Sequence, residues 1–364
     1  MRVLMLSKAC IVGIYQRKLE AIAAEVIDLR VLVPNGWRDE RGWQLLERAH
    51  TNGYDLREIP LWFNGNFHLH YYPTLAREIQ DFQPDIVHID EEPYNLATWQ
   101  ALYHARKVGA KTLFFSWQNI TRRYPPPFSW GEKWVLQNVD YALMGTDSAG
   151  EVWRSKGYTG AMATIPQFGT DTDLFKPMPR PERPFTVGYI GRLVEEKGIT
   201  CLLEAFAQLP PNTCLRLVGG GPLRDSLAQQ AESLGIASRV TFVPQVPSEQ
   251  IVRQYAEIDV LVLPSLTRPN WKEQFGRVLI EAMACEIPVI GSDSGAIPNV
   301  VGDAGIVVPE GNNTALCEAL SRLYNDPELR QQLGKAGRAR VLAHFTHAQI
   351  AQETVRVYGE MVKS

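Results

Sequence analysis

Short apolar runs of β character alternate with helical patterns along most of the chain, and this alternation restricts the fold more than any other feature. Arg2–Leu6, Asp28–Val33, Asp85–Ile89 and Lys111–Phe115 read as strands, with helical patterns at Gln16–Glu25 and Leu96–Val108. Tyr141–Met144 and a helix from about Asp147 to Lys156 close this first series. A second series runs through Phe185–Ile190, Cys214–Val218, Val240–Val243, Asp259–Leu263, Val289–Gly291 and Gly305–Val308, with helical segments between them. Alternation of this kind predicts parallel sheets with helices on both faces, so the expected fold class is α/β with two doubly wound, Rossmann-like domains. The stretch Asn35–Trp62, with Trp37, Trp43 and Trp62 among Arg and Gly, fits neither period. Pro166–Pro184 is dense in proline and lacks periodicity, as expected of a linker. The expected division is 1–166 for the first domain, 167–184 for the linker and 185–343 for the second domain.

Composition narrows the function. The chain has 364 residues, 45% of them hydrophobic and 21% charged, enough for two cores. A net charge of -3 argues against a nucleic-acid partner, whose contact face needs a basic excess. Cys10, Cys201, Cys214, Cys285 and Cys317 are odd in number and contain no C-x-x-C pair, so neither a disulfide framework nor a zinc site is expected. The opening Met1–Lys8 is too short an apolar run for a signal peptide, and no stretch of about 20 apolar residues occurs elsewhere. A cytoplasmic location, in contact with no more than the inner face of a membrane, is the expectation.

The densest chemistry lies in the second half. Glu273 precedes a glycine, Gly276, at which Phe275-Gly276-Arg277-Val278 turns into a short helix carrying Glu281. Unpaired amides at such a helix start favour an anion such as a diphosphate. Glu281, about one turn inside, is an acceptor for the vicinal hydroxyls of a ribose, and Glu273 for those of a hexose. Taken alone, Glu281 reads better as a residue that caps or solvates an amphipathic helix with Val278, Ile280 and Ala284 in the core, and only its context favours a ligand. Gly191-Arg192-Leu-Val-Glu-Glu-Lys197-Gly198 follows a strand, at the sheet edge where open α/β folds bind ligands. Arg192 offers a planar fork and Lys197 a point charge for a diphosphate; the alternative pairs Lys197 with Glu195 or Glu196. Gly219-Gly220-Gly221 follows another strand and lets backbone approach a flat ligand, but it is no G-x-G-x-x-G motif.

Gly-Arg192-Leu-Val-Glu-Glu-Lys197-Gly, Val-Gly-Gly-Gly-Pro-Leu, Asp259-Val-Leu-Val-Leu-Pro264-Ser265 and Glu273-x7-Glu281 in this order resemble family 4 retaining glycosyltransferases of the GT-B architecture. Ile165-Pro-Gln-Phe-Gly169-Thr-Asp171 is similar to that family's interdomain signature. The resemblance covers roughly half the chain. It implies two domains facing a cleft, an acceptor-side first domain, a nucleotide-sugar-binding second domain, and a C-terminal helix, 344–364, that crosses back to the first. Ile350, Val357 and Met361 would lie on related faces of that helix. It further implies that Arg192 and Lys197 bind the donor diphosphate, Glu281 the ribose, Glu273 the donor sugar, and the Gly276 region phosphate and hydroxyls. A hexose would pass from a UDP- or GDP-sugar to a hydroxyl of a saccharide or lipid-linked acceptor. No cofactor or metal is expected: the donor-side candidates are positive, and Asp171-Thr-Asp173, though spelled D-x-D, sits in the linker. A nucleotide-sugar epimerase and a non-catalytic nucleotide-sugar binder are the alternatives.

The first domain departs from the family. Paired glycines after the first strand are reduced to Gly13, and the usual histidine after the strand ending at Phe115 is replaced by Ser116-Trp117-Gln118-Asn119. Gln118 or Asn119 would hydrogen-bond a sugar, or serve only as loop polar groups. His88-Ile-Asp90-Glu91-Glu92-Pro93 ends another strand, and its clustered acids and histidine suggest acceptor binding or proton transfer, with helix capping as the plainer account. Arg122-Arg-Tyr-Pro-Pro-Pro-Phe128 reads either as a basic aromatic loop for an anionic lipid or acceptor, or as a rigid turn.

Overall fold

A computed structural model describes residues 1–25, 28–39, 42–179, 182–246 and 250–363. Arg180 and Pro181 of the expected linker and Ser364 of the expected last helix lie outside the described residues. The chain divides into two compact units, one made of Met1–Gly169 with His347–Ser364, the other of Thr170–Thr346.

The first unit is built on β1 (Arg2–Leu6), α1 (Arg17–Ala23), β2 (Asp28–Val33), β3 (Gly36–Asp39), β4 (Gly42–Leu45), β5 (Asp55–Glu58), α2 (Leu75–Phe82) and β6 (Ile86–Ile89). It continues with α3 (Leu96–Lys107), β7 (Lys111–Ser116), α4 (Phe128–Asn138), β8 (Tyr141–Met144), α5 (Asp147–Ser155) and β9 (Ala161–Thr164). Among the described residues its sheet runs β5-β2-β1-β6-β7-β8-β9, and every neighbouring pair is parallel. The chain winds outward from β1 in both directions, so the order reverses between β1 and β6. Such a reversal opens a crevice beyond the carboxyl ends of those two strands. The tryptophan-rich stretch without a period holds the antiparallel hairpin β3-β4 and the edge strand β5.

The second unit contains β10 (Thr186–Ile190), α6 (Ile199–Ala207), β11 (Cys214–Val218), α7 (Arg224–Ser233), β12 (Val240–Val243), α8 (Ile251–Ala256), β13 (Val260–Leu263) and α9 (Arg277–Ala284). It closes with β14 (Val289–Ser292), α10 (Ile297–Val301), β15 (Ile306–Val308), α11 (Asn313–Asn325) and α12 (Pro327–His344). Its parallel sheet, ordered β12-β11-β10-β13-β14-β15, reverses between β10 and β13. All residues of β10 and β13 are buried, as expected of parallel strands covered on both faces. Both sheets are doubly wound, as the alternation predicts.

The last helix needs one correction. The chain does not run as a single helix from 344: α12 ends at His344, and a new helix, α13 (His347–Lys363), follows. Phe345 is held in the second unit, where its carbonyl accepts the Thr170 amide at 2.7 Å and its ring meets Phe275 edge-on at 5.8 Å. α13 belongs to the first unit. Its Ile350, Ala351, Val357, Tyr358 and Met361 are buried in the same core as Leu19 and Ile22 of α1 and Val3 and Met5 of β1.

Candidate functional site

In the second unit the reversal brings two loops together, 191–198 after β10 and 264–276 after β13. Lys197 does not pair with its sequence neighbours. Its ammonium lies 2.5 Å from Glu273 Oε2, and the same oxygen accepts the Ser265 hydroxyl at 2.8 Å. Ser265 is fixed in turn, since its carbonyl accepts Ser292 Oγ at 2.5 Å. The Lys197 ammonium also stands 5.0 Å from the Trp271 ring centroid. A carboxylate, an ammonium and an aromatic face are thus grouped beyond the sheet edge, with the lysine side chain 18% exposed. Arg192 is exposed on the same loop, whose carbonyl at that residue accepts the buried Tyr189 hydroxyl at 2.7 Å.

Gly276 is the N-cap of α9 at φ 77°, a left-handed conformation that glycine adopts without strain, and a Cβ there would stand 2.8 Å from Leu263. The helix therefore begins where expected, with Arg277 exposed, Val278 partly buried and Phe275 buried. Glu281 is buried one turn in. Tyr255 of α8 donates its hydroxyl to Glu281 Oε2 at 2.7 Å, and the Arg277 guanidinium lies 3.4 Å from Oε1. Burial raises the Glu281 carboxyl above its ordinary value, and Arg277 and Tyr255 oppose that rise. Tyr255 was missed in the sequence: it lies 26 residues from Glu281, and no spacing rule links them.

The glycine run has a role in the packing of the protein itself. A Cβ on Gly219 would come within 2.0 Å of the Gly191 carbonyl oxygen, and one on Gly221 within 2.3 Å of the Leu193 carbonyl oxygen. These glycines, with Gly220 accepting the Leu193 amide at 2.9 Å, let two loops of the protein meet. Neighbouring backbone accounts for Gly219 and Gly221, whereas a Cβ on Gly220 would meet nothing within 4 Å. Asp171 Oδ1 accepts the amides of Asp173 at 3.0 Å and Leu174 at 3.2 Å, a turn closed on itself. Among the described residues no group of three or more His, Cys, Asp or Glu side chains is arranged to hold a metal ion.

The first unit redistributes its candidates. Gly13 is buried and its amide donates to Glu47 Oε2 at 2.7 Å, so that amide is committed within the protein rather than offered to a diphosphate. His88 is buried inside β6 with Nδ1 2.6 Å from the Tyr358 hydroxyl of α13; it is a core histidine, held neutral by burial and, secondarily, by Lys18. Gln118 and Asn119 are buried just after β7. Gln118 donates its side-chain amide to the Ile120 carbonyl at 2.9 Å, while its Oε1 has no partner among the described residues. Trp117, partly buried, donates its indole N–H to the Gln167 side chain at 2.8 Å.

Comparison with known proteins bears on the fold and on the second unit. Residues 170–340 match the sequence family described as glycosyl transferases group 1. The GDP-mannose-dependent alpha-(1-6)-phosphatidylinositol monomannoside mannosyltransferase of Mycolicibacterium smegmatis is 35% identical over 200 residues, 50% of this chain and 52% of that one. The D-inositol 3-phosphate glycosyltransferase of Corynebacterium jeikeium is 30% identical over 258 residues, 63% of this chain and 59% of that one. The chain thus spans a little over half the length of these curated relatives. Among solved structures, sucrose-phosphate synthase from Thermosynechococcus elongatus superimposes with a TM-score of 0.72 at 24% identity, covering 99% of both chains, and this likeness fixes the fold as GT-B. No helix of the described residues is long and apolar enough to cross a membrane. From Thr170 through Arg340, nearly the whole of its second unit and a little under half of its length, the chain is similar to the group 1 glycosyltransferases.

Proposed function

We propose that this protein transfers a hexose from a nucleoside diphosphate sugar to a hydroxyl acceptor with retention of configuration. The observation that carries this reading is the grouping of Lys197, Glu273 and the start of α9 with Glu281, at the strand ends where the second sheet reverses. Arg192, Lys197 and the α9 amides would stabilise charge developing on the departing diphosphate, while Glu281 holds the ribose and Glu273 the sugar. Lys197 and Glu273 pair with one another, which holds both side chains in place until a donor divides them between phosphate and hydroxyl. Relatives named for GDP-mannose and inositol phosphate support a nucleotide-sugar donor and a hydroxylated, saccharide or lipid-linked acceptor.

The test is a screen of nucleotide sugars, GDP-mannose first, for thermal stabilisation and nucleotide release. A true donor at a hundredfold excess over its dissociation constant stabilises by about 2.7 kcal/mol. No stabilisation by any donor removes this reading. Because the donor-side candidates are cationic, turnover is expected to persist in excess chelator and to fall sharply in Lys197→Ala. Loss of activity in chelator, with recovery on adding manganese or magnesium, would reverse this account of leaving-group stabilisation.

A further inference from the structure

Within the second unit, the loop between β13 and α9 is tied to the loop after β10, and Trp271 stands where they meet. Gly198 has φ 65°, and a Cβ there would come within 2.0 Å of the Pro264 carbonyl oxygen, so this glycine lets the two backbones touch. The Leu266 amide donates to the Glu196 carbonyl at 2.8 Å. Thr267 donates its amide to Glu310 and brings its hydroxyl to 3.0 Å from Ser294 Oγ. Beyond it, Arg268 and Trp271 exchange both backbone hydrogen bonds, at 2.8 and 3.2 Å, closing a turn over Pro269 and Asn270.

This frame sets the Trp271 ring, itself partly buried, 5.0 Å from the Lys197 ammonium. An ammonium has three N–H donors. One donor of Lys197 goes to Glu273 Oε2, and the other two have no acceptor among the described residues. An aromatic face attracts the cation through its quadrupole yet presents no oxygen to those donors. A carboxylate in the same place would engage them and compete with an incoming anion. Lysine also has a long, flexible stem, so confining its ammonium beforehand removes an ordering cost that a ligand would otherwise carry on binding.

We propose that Trp271 is a positioning residue for the donor diphosphate: its indole face holds the Lys197 ammonium beside Glu273 and leaves two N–H groups for phosphate oxygens. This rests on the glycosyltransferase reading, in which Lys197 meets the diphosphate. Trp271 itself exchanges no proton and forms no bond to the donor. It acts on donor affinity through Lys197, so its contribution disappears when that ammonium is removed.

The experiment titrates GDP and UDP into the full chain by calorimetry. Trp271→Leu keeps an apolar side chain but no ring, and should raise the dissociation constant of the nucleotide that binds by roughly 2–30-fold. Trp271→Phe keeps a ring face and should recover most of that affinity. In a Lys197→Ala background, Trp271→Leu should change the affinity by less than about twofold, since the cation it holds is gone. A merely structural role would make Phe no better than Leu and would cost the same in both backgrounds; either result overturns the proposal. Where Lys197→Ala binds too weakly to titrate, the order of Phe and Leu decides alone. Such a failure leaves the glycosyltransferase reading standing as long as wild type binds nucleotide and Lys197→Ala loses it. Lys197→Ala that binds as wild type does removes the diphosphate role of Lys197 and this proposal with it, and wild-type protein that binds neither GDP nor UDP removes the glycosyltransferase reading as well.

Discussion

Tyr255 does for Glu281 what solvent would do for an exposed carboxylate: it supplies a donor that stabilises the charge inside a buried site. Tyr255→Phe removes that donor and leaves the carboxyl to burial and Arg277. Its pKa should climb further, so donor binding that depends on the ionised form should weaken by roughly 1–3 kcal/mol, with the loss growing as pH falls. Calorimetric titration of donor into the variant at two pH values checks this. Equal affinity at both would mean Glu281 does not meet the ribose. Glu281 and the glycine that starts its helix were legible because both lie in one local pattern. The Lys197–Glu273 pair was not, because these residues are 76 positions apart and each looked complete as a ligand group by itself. The close approach at Gly219 and Gly221 was legible only in part: sequence shows that backbone must come close to something, but not that another loop is there.

At the scale of elements, buried parallel strands announce themselves as unbroken apolar runs, which is why Tyr141–Met144, buried throughout, was placed to the residue. The edge strand Asp55-Leu-Arg-Glu58 has three charged residues in four and no such run, and only pairing with β2 makes it a strand. The break between α12 and α13 was hidden because both flanks are good helix formers and only the anchoring of Phe345 in the second unit interrupts them. α13 in turn is amphipathic with its apolar stripe in the first unit's core. Ile350→Ala should therefore lower the stability of that unit by about 2–5 kcal/mol, whereas exposed Gln352→Ala on the same helix should change it by less than about 0.5 kcal/mol. Denaturant unfolding followed by tryptophan fluorescence compares the two.

At the scale of the whole molecule, every donor-side candidate lies in one continuous segment, 170–346, with its own sheet and core. That segment alone is expected to fold and to be stabilised by GDP or UDP; a folded segment indifferent to both would place the donor site elsewhere. The first unit carries its own pH signature. His88, buried and neutral, has a folded pKa well below 6.5, so below that value the unfolded chain binds the extra proton first. Stability should be complete above about pH 6.5 and decline on acidification. His88→Gln, which keeps a partner for Tyr358, should flatten that decline in thermal melts.

The first unit is also discontinuous: its sheet is complete by Gly169, but the helix that covers Leu19 and Ile22 is encoded after the whole second unit. On a ribosome adding roughly 5–20 residues per second, the intervening segment takes about 10–35 s to emerge. Through that interval the nascent first sheet carries an uncovered apolar face, and by its end the second unit, later in the gene, has every residue it needs. The order of synthesis and the order of completion are therefore inverted, and the half of the protein made first is finished last.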